Sequence, residues 1–475
     1  MYFTLRATGL VALAVLLGLA FSRPTFDAEI ERELGDKDPD VITRDVCIIG
    51  GGASGTYAAI RLRELGQSVV VVEKDDRLGG HTRTYYDPAG TPIDYGVWVY
   101  ANNTEAFNFF AHFDIPLTGL NLGSGAPPTE RVDLRTGQRV PPPSGDVVAA
   151  MTRYAQVLMQ YPYLSDGWDL PDPVPEDLFL PLRDFIEKYD LRPAAEFLTL
   201  WAQGLSDDIM DYPAAYIMKY VSMEVMLGIQ LGFSSSARGA NEELYVAARQ
   251  ELGDDALLSS TVLGADRSDS DTQRIYVRTP SGTKVIEADK IIITIPPLLS
   301  NMQVFDLDSR EESLFGQFIY SYYYATVLSL PGAPPGVQIT NLGADTPYNV
   351  AKLPGIYVMF PTPVENVVTA FFGGGYTNLT ERQVSEVIND NVAQLRNAGI
   401  GVGEPEILAY ADHSPFELHV SGEAIAGGFY RDLYSLQGHR KTFYTGAAFH
   451  AHNSAALWRF TERLLQEPPQ YLSGT

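Results

Sequence analysis

The hydropathy pattern changes character at Arg44. Asp45-Val46-Cys47-Ile48-Ile49 is a short apolar run suited to a buried parallel strand, and the glycine-rich stretch Gly50–Gly55 follows it. Beyond it, residues 56–65 set Ala58, Ala59, Leu62 and Leu65 at helical spacing, Gly66 ends the helix, and 68–72 is a second β-branched run closing on Glu73. The pattern is a βαβ unit of about 30 residues. Strand character returns far downstream. A helix is predicted over 242–252, a strand over 257–263, a hairpin with arms 274–278 and 284–287 around Ser281-Gly282, and a buried strand over 290–295 closed by Pro296-Pro297. A last strand over 442–445 leads through Gly446 into a helix over 455–465.

Between these blocks lie two long segments rich in Tyr, Phe, Met and Pro, without internal repeats. Pro141-Pro142-Pro143 and Ala333-Pro334-Pro335 read as loops. Residues 381–395 form an amphipathic helix with Val384, Val387, Ile388, Val392 and Leu395 inward. The predicted architecture is α/β, α+β overall. A Rossmann-type nucleotide-binding domain is assembled from 44–110, 236–300 and 425–475, and it interleaves with a substrate domain of mixed sheet and helices from 111–235 and 301–424.

The chain's 475 residues, 45% hydrophobic with one cysteine, suit two or three packed domains and exclude a disordered, collagenous or disulfide-stapled protein. The balance of 34 basic against 59 acidic residues, net -25, repels polyanions, and no basic cluster offsets it, so nucleic acid is set aside as a partner. At the N-terminus Arg6 precedes the apolar run 10–21, which ends in small residues at Ala20 and Ser22. This run is short for a membrane span and suits a signal peptide over 1–22, with a retained anchor as the alternative. Secretion or entry to the secretory pathway is therefore expected, with no stable membrane span after signal removal. An acidic leader over 23–43 follows. The sequons Asn102-Asn103-Thr104 and Asn378-Leu379-Thr380 are usable on such a route.

Gly50-x-Gly52-x-x-Gly55 sits between predicted strand and helix, with Glu73 18 residues further on. Gly50 permits the tight turn, Gly52 lets backbone N–H groups approach a pyrophosphate, and Gly55 allows close helix–strand packing. Ala53 and Ser54 open the helix, whose N-terminus supplies positive potential, and Glu73 is suited to accept from ribose hydroxyls. The motif in this context reads as a dinucleotide site.

After Glu73 the chain runs Lys74-Asp75-Asp76-Arg77-Leu78-Gly79-Gly80-His81-Thr82-Arg83-Thr84. Here it resembles the flavin amine oxidase-like superfamily, whose Arg-x-Gly-Gly-x-x-x-Thr/Ser stretch Arg77, Gly79, Gly80 and Thr84 match. The stretch 258–262 before the Pro-Pro element resembles that family's central segment, and Tyr444-Thr445-Gly446-Ala447-Ala448 with the helix after it resembles the C-terminal one. The resemblance implies FAD as cofactor, held by Gly50, Gly52, Ala53, Ser54, Gly55, Glu73, Lys74, Arg77, Gly79, Gly80, His81, Val262, Gly446, Asn453 and Ser454. At 427–438 and 444–458 the chain is similar to the fungal branch that includes β-cyclopiazonate dehydrogenase.

Two departures bear on activity. The strand after the Pro-Pro element, 318–327, lacks the lysine usual in amine oxidases, which disfavours a simple amine as substrate. Ala447 stands where the family often has an acid contacting the ribityl chain. Cysteinyl flavin is excluded, because Cys47 lies on the first strand. The tyrosines of 318–327 serve either core packing or an aromatic wall. His450 and His452 serve either as loop polarity or, near the flavin, as orienting group or proton acceptor; no third ligand suggests a metal. Tyr324, Tyr430 and His450 are the catalytic candidates, and Trp98, Tyr322 and Tyr434 the substrate-binding ones. The expected activity is FAD-dependent dehydrogenation, with or without oxidative cyclisation, of a small hydrophobic cyclic or conjugated metabolite, electrons passing to oxygen or another acceptor. The alternatives are a flavin-dependent double-bond isomerase of unsaturated fatty acids, a non-catalytic flavin or metabolite carrier, and a conventional amine oxidase.

Overall fold

A computed structural model describes residues 40–122, 126–206, 208–268 and 271–466. The expected signal, 1–22, and the acidic leader up to residue 39 lie outside the described residues. The leader's last four residues are part of the fold: the first strand runs Asp40–Ile49, with Asp40–Thr43 in register with Lys284–Glu287. Lys284 pairs with the Asp40 carboxylate, and Ile42 packs against the core.

That strand lies inside a seven-stranded sheet ordered Thr261–Asp266, Gln273–Thr279, Gly282–Ile293, Asp40–Ile49, Val69–Val72, Ala256–Leu257, with Thr442–Tyr444 also on Gly282–Ile293. Two sequence expectations are corrected here. The hairpin arm at 284–287 and the buried strand at 290–295 are one continuous strand, because nothing between them breaks extended backbone. Its first half pairs antiparallel with Gln273–Thr279 and its last residues parallel with Thr442–Tyr444. The strand expected over 257–263 is two, since Ser259 turns at φ 48.

Side chains alternate between the sheet's faces. Val46, Ile48 and Val71 pack with Tyr57, Ala58, Phe109 and Trp458 of the helices on one side. Cys47, Ile49, Val70 and Val72 join a core that continues into the helices between residues 147 and 231. Arg61 and Tyr57 of helix Ala53–Glu64 both donate to Glu462 of helix Ser454–Gln466, at 2.9 and 2.7 Å, tying together two helices roughly 400 residues apart in the chain.

The second sheet has eight strands, ordered Glu406–Asp412, Ile319–Ser329, Val367–Gly375, Gly355–Pro361, Gln338–Asn341, Thr129–Asp133, Gln138–Arg139, with Phe416–His419 beside the start of Ile319–Ser329. Helix Glu381–Asn397, opened by a Thr380/Gln383 capping box, covers one face with Val384, Ile388, Val392 and Leu395. The other face carries Tyr323, Ala325, Val327, Phe371 and Phe416, and packs on Ile93 and Tyr95 from the N-terminal third. This second face leads back to the glycine loop. Among the described residues no helix is long and apolar enough to cross a membrane.

Candidate active site

The glycine loop closes the first strand. Gly50 adopts φ +101, and a Cβ there would lie 2.5 Å from Thr294 Oγ1. At Gly55 a Cβ would meet the Gly50 carbonyl at 1.9 Å, so the helix packs directly on the loop. Gly52 differs: its nearest neighbour is the Gly80 Cα, 4.0 Å from where a Cβ would stand. Gly52 and Gly80 thus face each other across a backbone-lined slot that side chains would fill. The helix Ala53–Glu64 starts there without a side-chain cap, and Ser54 Oγ is buried without a partner. Its first N–H groups are free for an anion.

The surrounding residues hold this cradle in shape. Glu73 accepts from Gly51 N at 2.5 Å and Asp75 N at 2.8 Å; burial raises its carboxyl, and the two backbone donors oppose that rise. Arg77 donates to the carbonyls of Leu78, Thr82 and Gly80 and so pins the Gly79-Gly80 turn. Lys74 is exposed at the rim, and Val262 is half-buried at a bulge in its strand. Gly446, at φ +111, turns the chain against Thr294, and Asn453 Oδ1 caps the final helix through Ala456 N at 3.2 Å. Buried atoms without partners gather round the slot: Ser54 Oγ, Arg77 Nε, Thr82 Oγ1, Arg83 Nε and Tyr245 OH. Buried polar groups are normally paired, so an open slot with this donor set fits a bound dinucleotide.

From Gly80 a stack of rings runs inward. His81 lies on His413 with centroids 4.4 Å apart and 15° between planes, His452 on Phe416 at 4.0 Å, and Tyr323 on Phe416 at 4.6 Å. Burial lowers all three histidines, His81 to about 4, so they are neutral at neutral pH. Beyond His452 opens a pocket lined by Trp168, Tyr216, Lys219, Tyr220, Glu417, Leu418, Ala447, His450, Ala451 and His452.

His450 is the one expected catalytic residue on this lining. Its Nε2 lies 3.1 Å from the Ser165 carbonyl and so carries the proton, leaving buried Nδ1 as an unpaired acceptor. Tyr430 does not reach the pocket. It stacks behind Trp168 at 4.1 Å and shares a hydrogen bond with Tyr216 at 2.9 Å. Tyr434 is committed to structure: its hydroxyl donates to Phe449 O and accepts from Trp168 N at 2.8 Å. Trp98 sits against Phe360 and Phe371 on the second sheet, apart from this lining. Tyr322 and Tyr324 are corrected outright. They lie on the face covered by helix Glu381–Asn397, where Tyr324 OH accepts from Leu379 N at 2.9 Å, and Tyr323 is the residue turned toward the ring stack. Strand periodicity makes that exchange complete, since one position flips a side chain to the opposite face.

Sequence reasoning missed Trp168, Tyr216, Lys219, His413 and Glu417. Lys219 is the only basic residue within the apolar stretch 213–226, and Glu417 and His419 alternate with Phe416 and Leu418 in one short strand; both were visible signals. Glu417 holds φ 50, a costly backbone for a non-glycine residue. Burial pushes its carboxyl well up, so it is a neutral acid, with Oε1 standing 3.4 Å from His452 Nε2 and making no hydrogen bond. Among the described residues, Asp308, Glu311 and His439 are the cluster close enough to share a metal, but Arg267 already takes both Glu311 oxygens.

Sheet, cradle and inner pocket together define a dinucleotide-dependent redox protein of the flavin amine oxidase fold. The fold recurs in the CLA-producing fatty acid isomerase from P. acnes, at TM-score 0.72 and 20% identity over 89% of this chain and 98% of that one. Putrescine oxidase bound to putrescine superposes at TM-score 0.62 and 17% identity, covering 89% and 98%. A family model described as an NAD(P)-binding Rossmann-like domain matches residues 48–113. The FAD-dependent oxidoreductase dbaF of Emericella nidulans is 37% identical over 456 residues, 95% of this chain and 96% of its own. β-Cyclopiazonate dehydrogenase of Aspergillus flavus is 35% identical over 435 residues, covering 90% and 94%. The chain belongs to this family of fungal FAD-dependent oxidoreductases.

Proposed function

We propose that the protein dehydrogenates a hydrophobic cyclic or conjugated secondary metabolite, with ring closure where the product requires it, and passes the electrons to oxygen or another acceptor. The observation that carries this reading is the buried pocket between Ala447 and Trp168, which combines aromatic walls with three ionisable side chains, Lys219, Glu417 and His450. Relatives named as FAD-dependent oxidoreductases, one a dehydrogenase, support it. FAD held in the glycine cradle supplies the two-electron oxidant.

The chain's own residues do the rest. Trp168 and Tyr216, packed edge to face at 5.2 Å, give the pocket aromatic walls. His450 Nδ1 accepts a hydrogen bond from the substrate, with its tautomer held by Ser165. Glu417, neutral, donates one. Burial keeps water from the reacting carbon.

The test is spectroscopic. Purified protein should be yellow, and anaerobic mixing with indole, polyene and polyketide metabolites should bleach the visible flavin band, with product two hydrogens lighter. A product of unchanged mass with a moved double bond would replace this reading by the isomerase one.

A further inference from the structure

The reading above gives the pocket's lysine no step of its own. Lys219 lies on helix Ala214–Tyr220 and is only 4% exposed, and its amine sits 5.2 Å from the Trp168 ring centroid. Nζ donates to two carbonyls of one turn, Leu164 O at 2.7 Å and Gly167 O at 2.9 Å. A neutral amine has two N–H bonds and one lone pair. With both N–H bonds committed to carbonyls, the lone pair is left as an acceptor.

We propose that Lys219 is the proton acceptor of the dehydrogenation, and that the substrate presents an O–H or N–H at its reacting carbon toward this amine. The proposal rests on the dehydrogenase reading. Its argument is electrostatic. Burial, with Arg459 nearby, disfavours charge on the resting lysine and lowers its proton affinity well below the ordinary lysine range. The two carbonyl dipoles are already aimed at Nζ, where positive charge develops as the proton arrives. His450 has one carbonyl, and shares it: Ser165 O also accepts from Arg459 at 2.6 Å. Lys219 also holds His450 down, because charge on one repels charge on the other. Lysine is therefore the better sink and histidine the orienting acceptor.

The balance is that of a dehydrogenation. The carbon's hydrogen leaves with its electron pair to the FAD of the proposed function, the O–H or N–H proton goes to Lys219 Nζ, and a C=O or C=N bond forms. The proton leaves for solvent after product departs.

Acetylacetone, a small 1,3-diketone, tests the amine without knowledge of the substrate. A neutral lysine adds to it with loss of water, giving an enaminone with a near-ultraviolet band. Holoenzyme at neutral pH should develop that band, and peptide mapping should locate the adduct on Lys219. Absence of an adduct there, with the flavin still bleached by a substrate, overturns the proposal alone. With whichever compound bleaches the flavin, Lys219→Met should slow bleaching about 100-fold or more at unchanged KM, and added methylamine should restore part of the rate. A Lys219→Met enzyme bleached at the wild-type rate also overturns it. A wild-type flavin that no compound bleaches removes both the dehydrogenase reading and this one. The adduct is read on wild-type protein, so a variant that fails to fold does not block the test.

Discussion

Gly52 and Gly55 stand three positions apart and do different work. Gly55→Ala forces a Cβ onto the Gly50 carbonyl, an overpacking that costs about 1–3 kcal/mol and should lower the melting temperature of the apoprotein itself. Gly52→Ala meets only the open slot, so the apoprotein should melt as wild type while FAD retention on gel filtration falls. Glu417 carries a pH signature. Its carboxyl is raised in the fold, so stability tied to its neutral form is complete below the unfolded value and declines as pH rises above it. Glu417→Gln, which cannot ionise, should raise the melting temperature at about pH 8 and leave it unchanged at about pH 4. The glycines were legible because each has a steric task written in the spacing. The tyrosines of 318–327 were not: eight of these ten residues are aromatic or β-branched and look alike in sequence, and only the packing on either side of the strand tells which of the two alternating faces meets the ring stack.

At the level of elements, the sequence marked the βαβ unit, the amphipathic helix over 381–395, which the structure extends to Asn397, and the C-terminal strand–helix pair, where period and capping agree. It divided Gly282–Ile293 because two short apolar runs with a charged middle look separate, and it gave no sign of what ties the elements together. One such tie is buried. Arg267 grips Glu311 with two bonds of 2.8 Å and donates to Phe305 O at 2.7 Å, while Tyr444 OH reaches Glu311 at 2.9 Å. This joins strand Thr261–Asp266, helix Ser309–Phe315 and strand Thr442–Tyr444. Arg267→Met strips the buried Glu311 carboxylate of its bidentate partner, with Arg440 3.7 Å away and Tyr444 OH still donating, and should cost about 3–5 kcal/mol in denaturant unfolding, with the double change Arg267→Met/Glu311→Met recovering most of it. Burial raises the Glu311 carboxyl, but the Arg267 fork outweighs it and the net shift is downward. The stability it contributes is present above the ordinary carboxylate value and is lost as acid titrates through the lower folded one.

Across the whole molecule, the function lies where distant stretches of chain converge, and that convergence is what spacing cannot reveal. The pocket takes Trp168, Tyr216 and Lys219 from the helical segment, Glu417 from the second sheet, and Ala447 and His450 from the C-terminal turn. Export is expected of the 1–22 segment: expression in a fungal host should yield a secreted chain beginning near Arg23, and Asn378, exposed beside the helix cap, should carry glycan removable by endoglycosidase. A retained cytosolic chain would defeat that expectation.

The placement of Thr442–Tyr444 on Gly282–Ile293, and of Trp458 and Glu462 against helix Ala53–Glu64, also sets an order of events at the ribosome. Strand Asp40–Ile49 and its glycine loop emerge roughly 400 residues ahead of their supporting helix, Ser454–Gln466. At 5–20 residues per second the nascent cradle waits roughly 20–80 s without its cover. Cofactor loading is then expected to wait for helix Ser454–Gln466, and a premature stop anywhere before it should yield a colourless, chaperone-bound chain.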